Sequence, residues 1–236
     1  MAIVYPEDNW ILSRAGKELE GLEFPGTYFI NYAMFDEKQP RPWGAFFTHI
    51  EPKYEELFNE VADKVSYAVC SNRIIKTFLE RKGIEKVEVI PHGHDPRVKK
   101  EITFGVVGRV YPSGRKGEEL VAKMLEKCYN VISMGEGWPC DNYCDWSDAP
   151  KFYKKIDYLV ITSRIEGGPV PLLDAMAAGV PVIAPIGVGH CDEFPCIRYV
   201  SGDWDSLDRI LDKLTNPPTW KQWKKDHQSI FSSMRL

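Results

Sequence analysis

The stretch from residue 158 to residue 193 constrains the fold of this chain more than any other. It reads YLVITSRIEGGPVPLLDAMAAGVPVIAPIGVGHCDE. A β-rich apolar run at 158–162 is followed by a glycine-containing loop, a helical pattern that stops at Gly179, and a second apolar run at 180–184. Strand, helix and strand joined by short loops predict a βαβ unit with two parallel strands.

The loop of this unit has the composition of an anion site. Gly167 and Gly168 permit a close backbone approach just before the helix, and the N–H groups at a helix N-terminus favour an anion such as a phosphate. Glu166 lies in the loop, and Asp174, eight residues on, lies about one turn into the helix. Both carboxylates can therefore face one ligand at the carboxyl edge of the sheet.

The same stretch resembles the sugar-nucleotide site of retaining GT-B glycosyltransferases, especially family 4 (glycosyl transferases group 1). Their signature is a Glu, a glycine-containing loop, and a second acidic residue eight positions later on a helix that continues A-M-A-x-G-x-P-V-I-A. Asp174 departs from it, because the family usually has Glu there and Asp is one methylene shorter. The matching residues are Glu166, Gly167, Gly168, Asp174, Ala175, Met176, Ala177, Gly179, Pro181, Val182, Ile183 and Ala184.

The resemblance implies an α/β fold of the GT-B kind, with two Rossmann-like parallel-sheet domains facing across a cleft. We expect a shortened acceptor-side domain at 1–98, a nucleotide-sugar-binding domain at 99–216, and a terminal helix at 217–236 that packs back on the first domain. The first domain is shorter than is usual for the family, and the loop E-D-N-W near its start is not glycine-rich. The acceptor is therefore the property that the sequence predicts least.

A second motif follows the predicted strand at 102–107. It reads G-R-V-Y-P-S-G-R-K-G and begins at Gly108. In the resembling family an Arg and a Lys in this position clasp the diphosphate, which implies that role for Arg109 and Lys116, with Arg115 as a competitor for the role of Lys116. Cations held there stabilise the charge that a leaving diphosphate develops, so no metal is required. A lone Arg-Lys pair is more often a solvated loop, and the βαβ motif is what favours function here.

Other loops carry weaker signals. Gly135 and Gly137 follow a predicted strand at 130–134 and resemble the family's loop near the nucleotide base. The loop after residue 184, G-V-G-H-C-D-E, places Glu193 near the sugar donor by the same resemblance. Pro169 and Val170 join the glycines of the first loop as expected donor-binding residues.

His49 is the candidate from the first domain. It ends a predicted strand at 45–49, and the resembling family has a histidine at a strand end close to the bound sugar. A contact with the sugar or with a developing charge is one interpretation. A hydrogen-bonded histidine at a strand end, without a catalytic role, is the other.

Metal binding is not favoured. His92 and His94 supply only two ligands. The spacings of Cys140, Cys144, Cys191 and Cys196 are looser than the usual two-residue knuckle, so ordinary loop cysteines are expected.

Composition narrows the remaining classes. The net charge of −4, from 30 basic and 34 acidic residues, makes a nucleic-acid partner unlikely. No apolar run approaches the ~20 residues that cross a bilayer, and no secretory signal is visible, so a reduced cytoplasmic setting is expected. Trp220 and Trp223 favour packing of the last helix over peripheral membrane contact.

The hypothesis is a retaining transfer of a sugar from a nucleotide-diphosphate sugar. Asp174 would accept from the ribose hydroxyls and Glu166 from the sugar, while Arg109, Lys116 and the amides after Gly167 hold the diphosphate. The acceptor is open: a glycan, a lipid-linked molecule or a small molecule; the oligomeric state is open as well. Two alternatives stay open too, a sugar-nucleotide-binding protein without turnover and a transferase acting on nucleic-acid bases.

Overall fold

The computed structural model describes residues 2–8, 10–140 and 143–233, and at 143 and 144 it describes the backbone alone. The chain forms two compact units, Met1–Lys99 with Pro218–Leu236, and Lys100–Pro217. The strands are β1 Ala2–Val4, β2 Thr27–Phe29, β3 Trp43–Phe47, β4 Tyr67–Cys70, β5 Val87–Val89, β6 Thr103–Val107, β7 Asn130–Met134, β8 Tyr143–Cys144, β9 Tyr158–Val160, β10 Val182–Pro185 and β11 Ile197–Tyr199. The helices are α1 Ile11–Leu19, α2 Glu55–Lys64, α3 Arg73–Arg81, α4 Glu118–Glu126, α5 Ala149–Lys155, α6 Val170–Ala177, α7 Trp204–Thr215 and α8 Trp220–Ser233.

The first unit is built on a parallel sheet in the order β1-β2-β3-β4-β5. Alternate residues of a strand point to opposite faces, so the side chains of one strand pack into a core on each face of the sheet. In β4, Tyr67 and Val69 join the cluster under α1 and α8, whereas Ala68 and Cys70 join the cluster under α2 and α3. The sheet is therefore covered on both faces.

The last helix belongs to this first unit. The Gln222 N–H donates to Thr219 Oγ1 at 3.2 Å, so Thr219 caps the start of this helix. Trp223, His227 and Phe231 are buried at i, i+4 spacing, which puts them on one face of α8, in contact with the cluster around Tyr28. Burial of this aromatic face holds α8 on the sheet.

The second unit is a parallel sheet in the order β11-β10-β9-β6-β7-β8. Counted from β6 as strand one, this is the order 3-2-1-4-5-6 of dinucleotide-binding folds, read from the other edge. The two α/β units with parallel sheets confirm the predicted fold class.

Several boundaries differ from the sequence-based expectations. The strand that was predicted to end at His49 ends at Phe47, so the histidine lies two residues beyond it. The sequence of residues 138–148 shows no strand pattern, but Tyr143–Cys144 pairs with β7 at the edge of the sheet. The short edge strand Ile197–Tyr199 was not predicted, because three residues with a central Arg give no apolar run.

No helix within the described ranges has the length and apolar character needed to span a bilayer.

Candidate functional site

The topological switch point of the second sheet lies between β6 and β9. These strands are neighbours, but the chain leaves β6 towards β7 on one side and leaves β9 towards β10 on the other. In open α/β sheets such a point opens a crevice outside the carboxyl ends of the strands, where ligands bind. The predicted Lys116 and Glu166 follow β6 and β9 in the chain.

Lys116 and Glu166 form an ion pair at this edge. The Lys116 ammonium contacts Glu166 Oε1, and the two side chains are only 13% and 12% exposed. Ser163 Oγ donates to the same carboxylate oxygen at 2.9 Å. Charges withdrawn from water to this extent interact far more strongly than charges on a surface.

Gly117 explains how Lys116 reaches the end of β9. Its φ is +68°, and a Cβ built on it would lie 2.2 Å from the carbonyl oxygen of Thr162. Any larger residue would push the two loops apart. Thr162 Oγ1 also donates to the Lys116 carbonyl at 2.6 Å, so backbone contacts hold the lysine against the Glu166 loop.

The loops after β6 and β7 are joined in a similar way. Gly135 has a φ of +113°, and a Cβ there would lie 2.1 Å from the Gly108 carbonyl oxygen. That oxygen accepts from the indole N–H of Trp138 at 2.8 Å, and the Gly108 N–H donates to Met134 O at 2.9 Å. At Gly137 a Cβ would approach Val110 Cβ to 2.9 Å. These glycines therefore keep the carboxyl edge compact beside Lys116.

The N-terminus of α6 offers fewer hydrogen-bond donors than the sequence pattern implied. Pro169 and Pro171 have no N–H, and the Leu172 N–H donates to Pro169 O at 3.0 Å. The amides that can face an anion are those of Gly167, Gly168 and Val170, the first three available to this helix end.

A histidine borders this helix end. Nδ1 of His190 lies 2.6 Å from the position of a Cβ built on Gly168, so only glycine leaves room for the imidazole. Its Nε2 is 3.4 Å from Pro169 O, and its ring packs edge-on against Phe194. Glu193, one turn further, is exposed, and its N–H donates to His190 O.

The side chains of Arg109 and Arg115 contact other partners than Glu166. Arg109 pairs with Glu136 at 3.1 Å, and these side chains are 68% and 65% exposed. The Arg115 guanidinium lies 4.4 Å from the ring centroid of Tyr111. Of the two competitors in this motif, Lys116 is therefore the one that contacts Glu166.

Asp174 lies half-buried on α6, one turn from its start. Burial raises the pKa of the neighbouring Tyr153 hydroxyl, and the Asp174 charge adds to that rise. The Tyr153 hydroxyl donates to Pro171 O at 3.4 Å. Asp174 is thus part of the same helix end as the glycine loop.

His49 is exposed in the first unit. Its ring nitrogens lie 3.0 Å from Thr48 Oγ1 and 3.1 Å from Glu51 Oε1. The hydrogen bond from His49 lowers the pKa of Glu51. His49 therefore has hydrogen-bond partners within its own loop.

A small cavity of about 20 Å³ lies between the Lys116–Glu166 pair, Trp138 and Pro171. That is room for roughly one water molecule. Sites for drug-sized ligands enclose roughly 300–1,000 Å³. The cavity beside the pair is therefore much smaller than such a site.

The first unit has a larger cavity, of about 450 Å³, at the amino-terminal edge of its sheet. Its lining includes the residues that directly precede β3, β4 and β5, which are Pro42, Ser66 and Lys86. Amino-terminal edges of parallel strands are not where ligands of such sheets bind.

Among the described side chains, no group of three or more His, Cys, Asp or Glu is arranged to hold a metal ion. Burial raises the pKa of the Cys191 thiol to about 11 and raises that of Cys196, which opposes the thiolate form that a zinc site needs. Cys196 Sγ lies 3.9 Å from Cys191 O. The Cys144 side chain lies outside the described residues.

Four residues at this edge were not singled out from the sequence. Thr162 and Ser163 lie just beyond Ile161, the residue after β9, a place where short polar side chains meet ligands or adjacent loops. Trp138 sits next to the G-E-G loop, and His190 stands within the second glycine loop. Only their position after strand ends could have identified them.

Comparison with family models gave one match. Residues 80–194 match the model described as "Glycosyl transferases group 1". The matched segment includes Lys116, Glu166, the α6 N-terminus and Glu193. Comparison with curated protein sequences gave no match.

Comparison with solved structures gave similarities of low score. Sucrose-phosphate synthase from Thermosynechococcus elongatus aligns at 14% identity and TM-score 0.42, over 88% of this chain and 68% of that one. Anabaena HepE in complex with UDP-glucose aligns at 16% identity and TM-score 0.42, over 88% and 73%. The lipopolysaccharide outer core galactosyltransferase WaaB aligns at 16% and 0.42, over 88% and 75%.

The family match covers the motifs on which the resemblance was based. It spans the Arg-Lys loop, the Glu166–Asp174 helix end and the following glycine loop. The similarity to the glycosyl transferases group 1 model is confined to residues 80–194 of this chain.

Proposed function

We propose that this protein is a retaining glycosyltransferase that uses a nucleotide-diphosphate sugar. The observation that carries the proposal is the shielded Lys116–Glu166 pair at the switch point of a dinucleotide-type sheet, inside the matched segment. A cation and a hydroxyl acceptor side by side suit the junction of a diphosphate and a sugar.

The site residues take the following roles in this proposal. Lys116 and the amides of Gly168 and Val170 hold the diphosphate, and Glu166 accepts hydrogen bonds from the sugar hydroxyls. Asp174 accepts from the ribose. The further residues of the diphosphate and base side are Gly108, Arg109, Arg115, Gly135, Gly137, Gly167, Pro169 and Glu193.

Arg109 and Arg115 serve as mobile cations in this proposal. Arg109 is exposed and its partner Glu136 is exposed, so a diphosphate can replace that partner at little cost. Arg115 rests on an exposed tyrosine ring. His49, from the first domain, is proposed to contact the sugar, as the resemblance implies.

The reaction breaks the bond between the anomeric carbon and the diphosphate oxygen and forms a bond from that carbon to an acceptor oxygen on the same face. The acceptor proton passes to the departing phosphate oxygen. Lys116 stabilises the negative charge that accumulates on the diphosphate. No residue is assigned as a covalent nucleophile, because Glu166 is held by Lys116 and Ser163.

The test is a panel of UDP-, GDP- and ADP-sugars with the wild type, Lys116→Ala and Glu166→Ala. A thermal-shift screen first selects the sugar donor that raises the melting temperature most. The wild type should hydrolyse or transfer from at least one sugar donor, and each variant should lose roughly 100-fold or more in turnover. Unchanged donor affinity and turnover in both variants would overturn the site assignment.

The same panel separates the alternatives. Tight binding of a nucleotide sugar by the wild type without hydrolysis or transfer would identify a binding protein rather than an enzyme. The acceptor remains to be found by screening glycans, lipid-linked molecules and small molecules against the selected sugar donor.

A further inference from the structure

We propose that the Lys116–Glu166 pair makes this site discriminate between the intact sugar donor and the nucleoside diphosphate left after transfer. This rests on the proposed function and assigns Glu166 a second role, as the group that favours release of the spent nucleotide.

The geometry sets up a competition for Lys116. In the ligand-free protein its ammonium is bound by Glu166, with both side chains almost withdrawn from solvent. The cavity beside the pair has room for about one water molecule. A diphosphate that takes Lys116 must therefore take it from Glu166.

What Glu166 gains in exchange depends on the ligand. An intact nucleotide sugar brings hydroxyl groups, which can donate to the carboxylate that has lost its lysine. A nucleoside diphosphate has ribose hydroxyls but no sugar on its terminal phosphate, so Glu166 is left shielded and without a cation. Removing one partner of a shielded ion pair is costly because the remaining charge is uncompensated.

Ser163 makes the penalty hard to avoid. Its hydroxyl donates to Glu166 Oε1 at 2.9 Å, and the serine itself is 5% exposed. The carboxylate is thereby fixed at the base of the loop and cannot turn fully into solvent when Lys116 leaves. The ion pair re-forms once the sugar is gone, and this re-formation displaces the diphosphate.

The consequence is a ratio of affinities that depends on the charge of residue 166. In the wild type the dissociation constant of the diphosphate should exceed that of its sugar conjugate. Glu166→Gln keeps the size of the side chain but has no charge to leave uncompensated. This variant should lower the dissociation constant of the diphosphate by roughly tenfold or more and lower that of the sugar conjugate much less. The ratio of the two constants should therefore fall.

The experiment is titration calorimetry of the full chain with UDP against UDP-glucose, GDP against GDP-mannose, and ADP against ADP-glucose. The matched control is Glu136→Gln, which removes one negative charge from the same edge of the sheet, at the exposed partner of Arg109. A general effect of net charge would tighten both ligands equally in either variant. The proposal requires the dissociation constant of the diphosphate itself to fall in Glu166→Gln, because weaker binding of the sugar conjugate alone would also lower the ratio. It requires the ratio to stay within about twofold in Glu136→Gln.

If the diphosphate binds a folded Glu166→Gln variant no more tightly than it binds the wild type, the inference is overturned and the proposed function is left standing. If Glu166→Gln does not fold, Glu166→Asp replaces it. The shorter carboxylate keeps the charge but reaches Lys116 less well, so the diphosphate should bind more tightly than it binds the wild type, by a smaller factor. No change in the dissociation constant of the diphosphate overturns the inference. If the wild type binds none of the six ligands, the proposed function itself fails.

Discussion

Two ion pairs at the carboxyl edge of the second sheet contain predicted site residues, but their surroundings differ. Lys116 and Glu166 are 13% and 12% exposed, whereas Arg109 and Glu136 are 68% and 65% exposed. Exposed pairs contribute ~0–1 kcal/mol because water competes and the long side chains lose freedom. A shielded pair is strongly coupled, and loss of one partner leaves the other charge uncompensated.

The difference shows which cation of the basic loop is held at the candidate site. The sequence gives Arg109, Arg115 and Lys116 similar standing as cations in one loop. Only Lys116 is drawn to the switch point, because Gly117 brings the backbone against Thr162. Burial, and not charge alone, separates these residues.

The largest effect is expected for Lys116→Met. It removes the shielded cation, so turnover with the selected sugar donor should fall by roughly 100- to 1,000-fold. The matched control is Arg109→Gln, which should stay within about fivefold of the wild type. Steady-state kinetics on both variants measures this, and equal losses would contradict the assignment of the principal cation to Lys116.

Burial also lowers the pKa of one histidine in the first unit, His227. His227 is fully buried, its Nδ1 donates to Trp223 O at 2.9 Å, and its Nε2 lies 3.2 Å from the Tyr28 hydroxyl. Burial lowers its pKa to about 4. The unfolded chain binds a proton near pH 6.5 and the folded chain does not, so stability is intact above pH 6.5 and is lost as the pH falls from 6.5 to 4.

The loss should approach ~3 kcal/mol in the free energy of unfolding. Urea unfolding at pH 7.5, 5.5 and 4.5 measures it. A His227→Gln variant should lack this part of the pH dependence, and the exposed control His49→Gln should retain it. Parallel profiles for the wild type and His227→Gln would show that this histidine is not the source.

The backbone approach that places Lys116 should be sensitive to one methyl group. Gly117→Ala requires a Cβ 2.2 Å from Thr162 O at a φ of +68°, so it should lower the free energy of unfolding by ~2 kcal/mol. The control is Gly167→Ala, where no described heavy atom lies within 4 Å of the added Cβ, with an expected change of ~0.5 kcal/mol or less. Chemical denaturation compares them, and equal stabilities would mean that the loops separate without cost.

The smallest effect is expected at His49. Its side chain is 63% exposed and its partner Glu51 is exposed as well. His49→Ala should leave the melting temperature unchanged and lower turnover by at most about fivefold. A loss of turnover as large as that of Lys116→Met would contradict this and would show that His49 matters as much for turnover as Lys116.

Much of the fold followed from the sequence where apolar runs are long and bounded. The strand Asn130–Met134 has the predicted boundaries, because the run there is ended by Gly135. The edge strands Tyr143–Cys144 and Ile197–Tyr199 were missed, since neighbours supply their hydrogen bonds and their own residues show no pattern.

The candidate site was foreseeable as a set of loops but not as a set of contacts. The signature around Glu166 named the helix end, and the family match covers it. The pairing of Lys116 with Glu166 and the support from Ser163 join residues about 50 and 3 positions apart. No periodicity encodes such pairings, because they arise from the sheet order that places β6 beside β9.

The most direct test of the account is a crystal structure of the protein with a non-hydrolysable phosphonate analogue of the selected nucleotide sugar. The account predicts that Lys116 Nζ lies within hydrogen-bond distance of a phosphate oxygen and that Glu166 accepts from a sugar hydroxyl. A bound analogue that leaves the Lys116–Glu166 pair intact, with its diphosphate elsewhere, would contradict it.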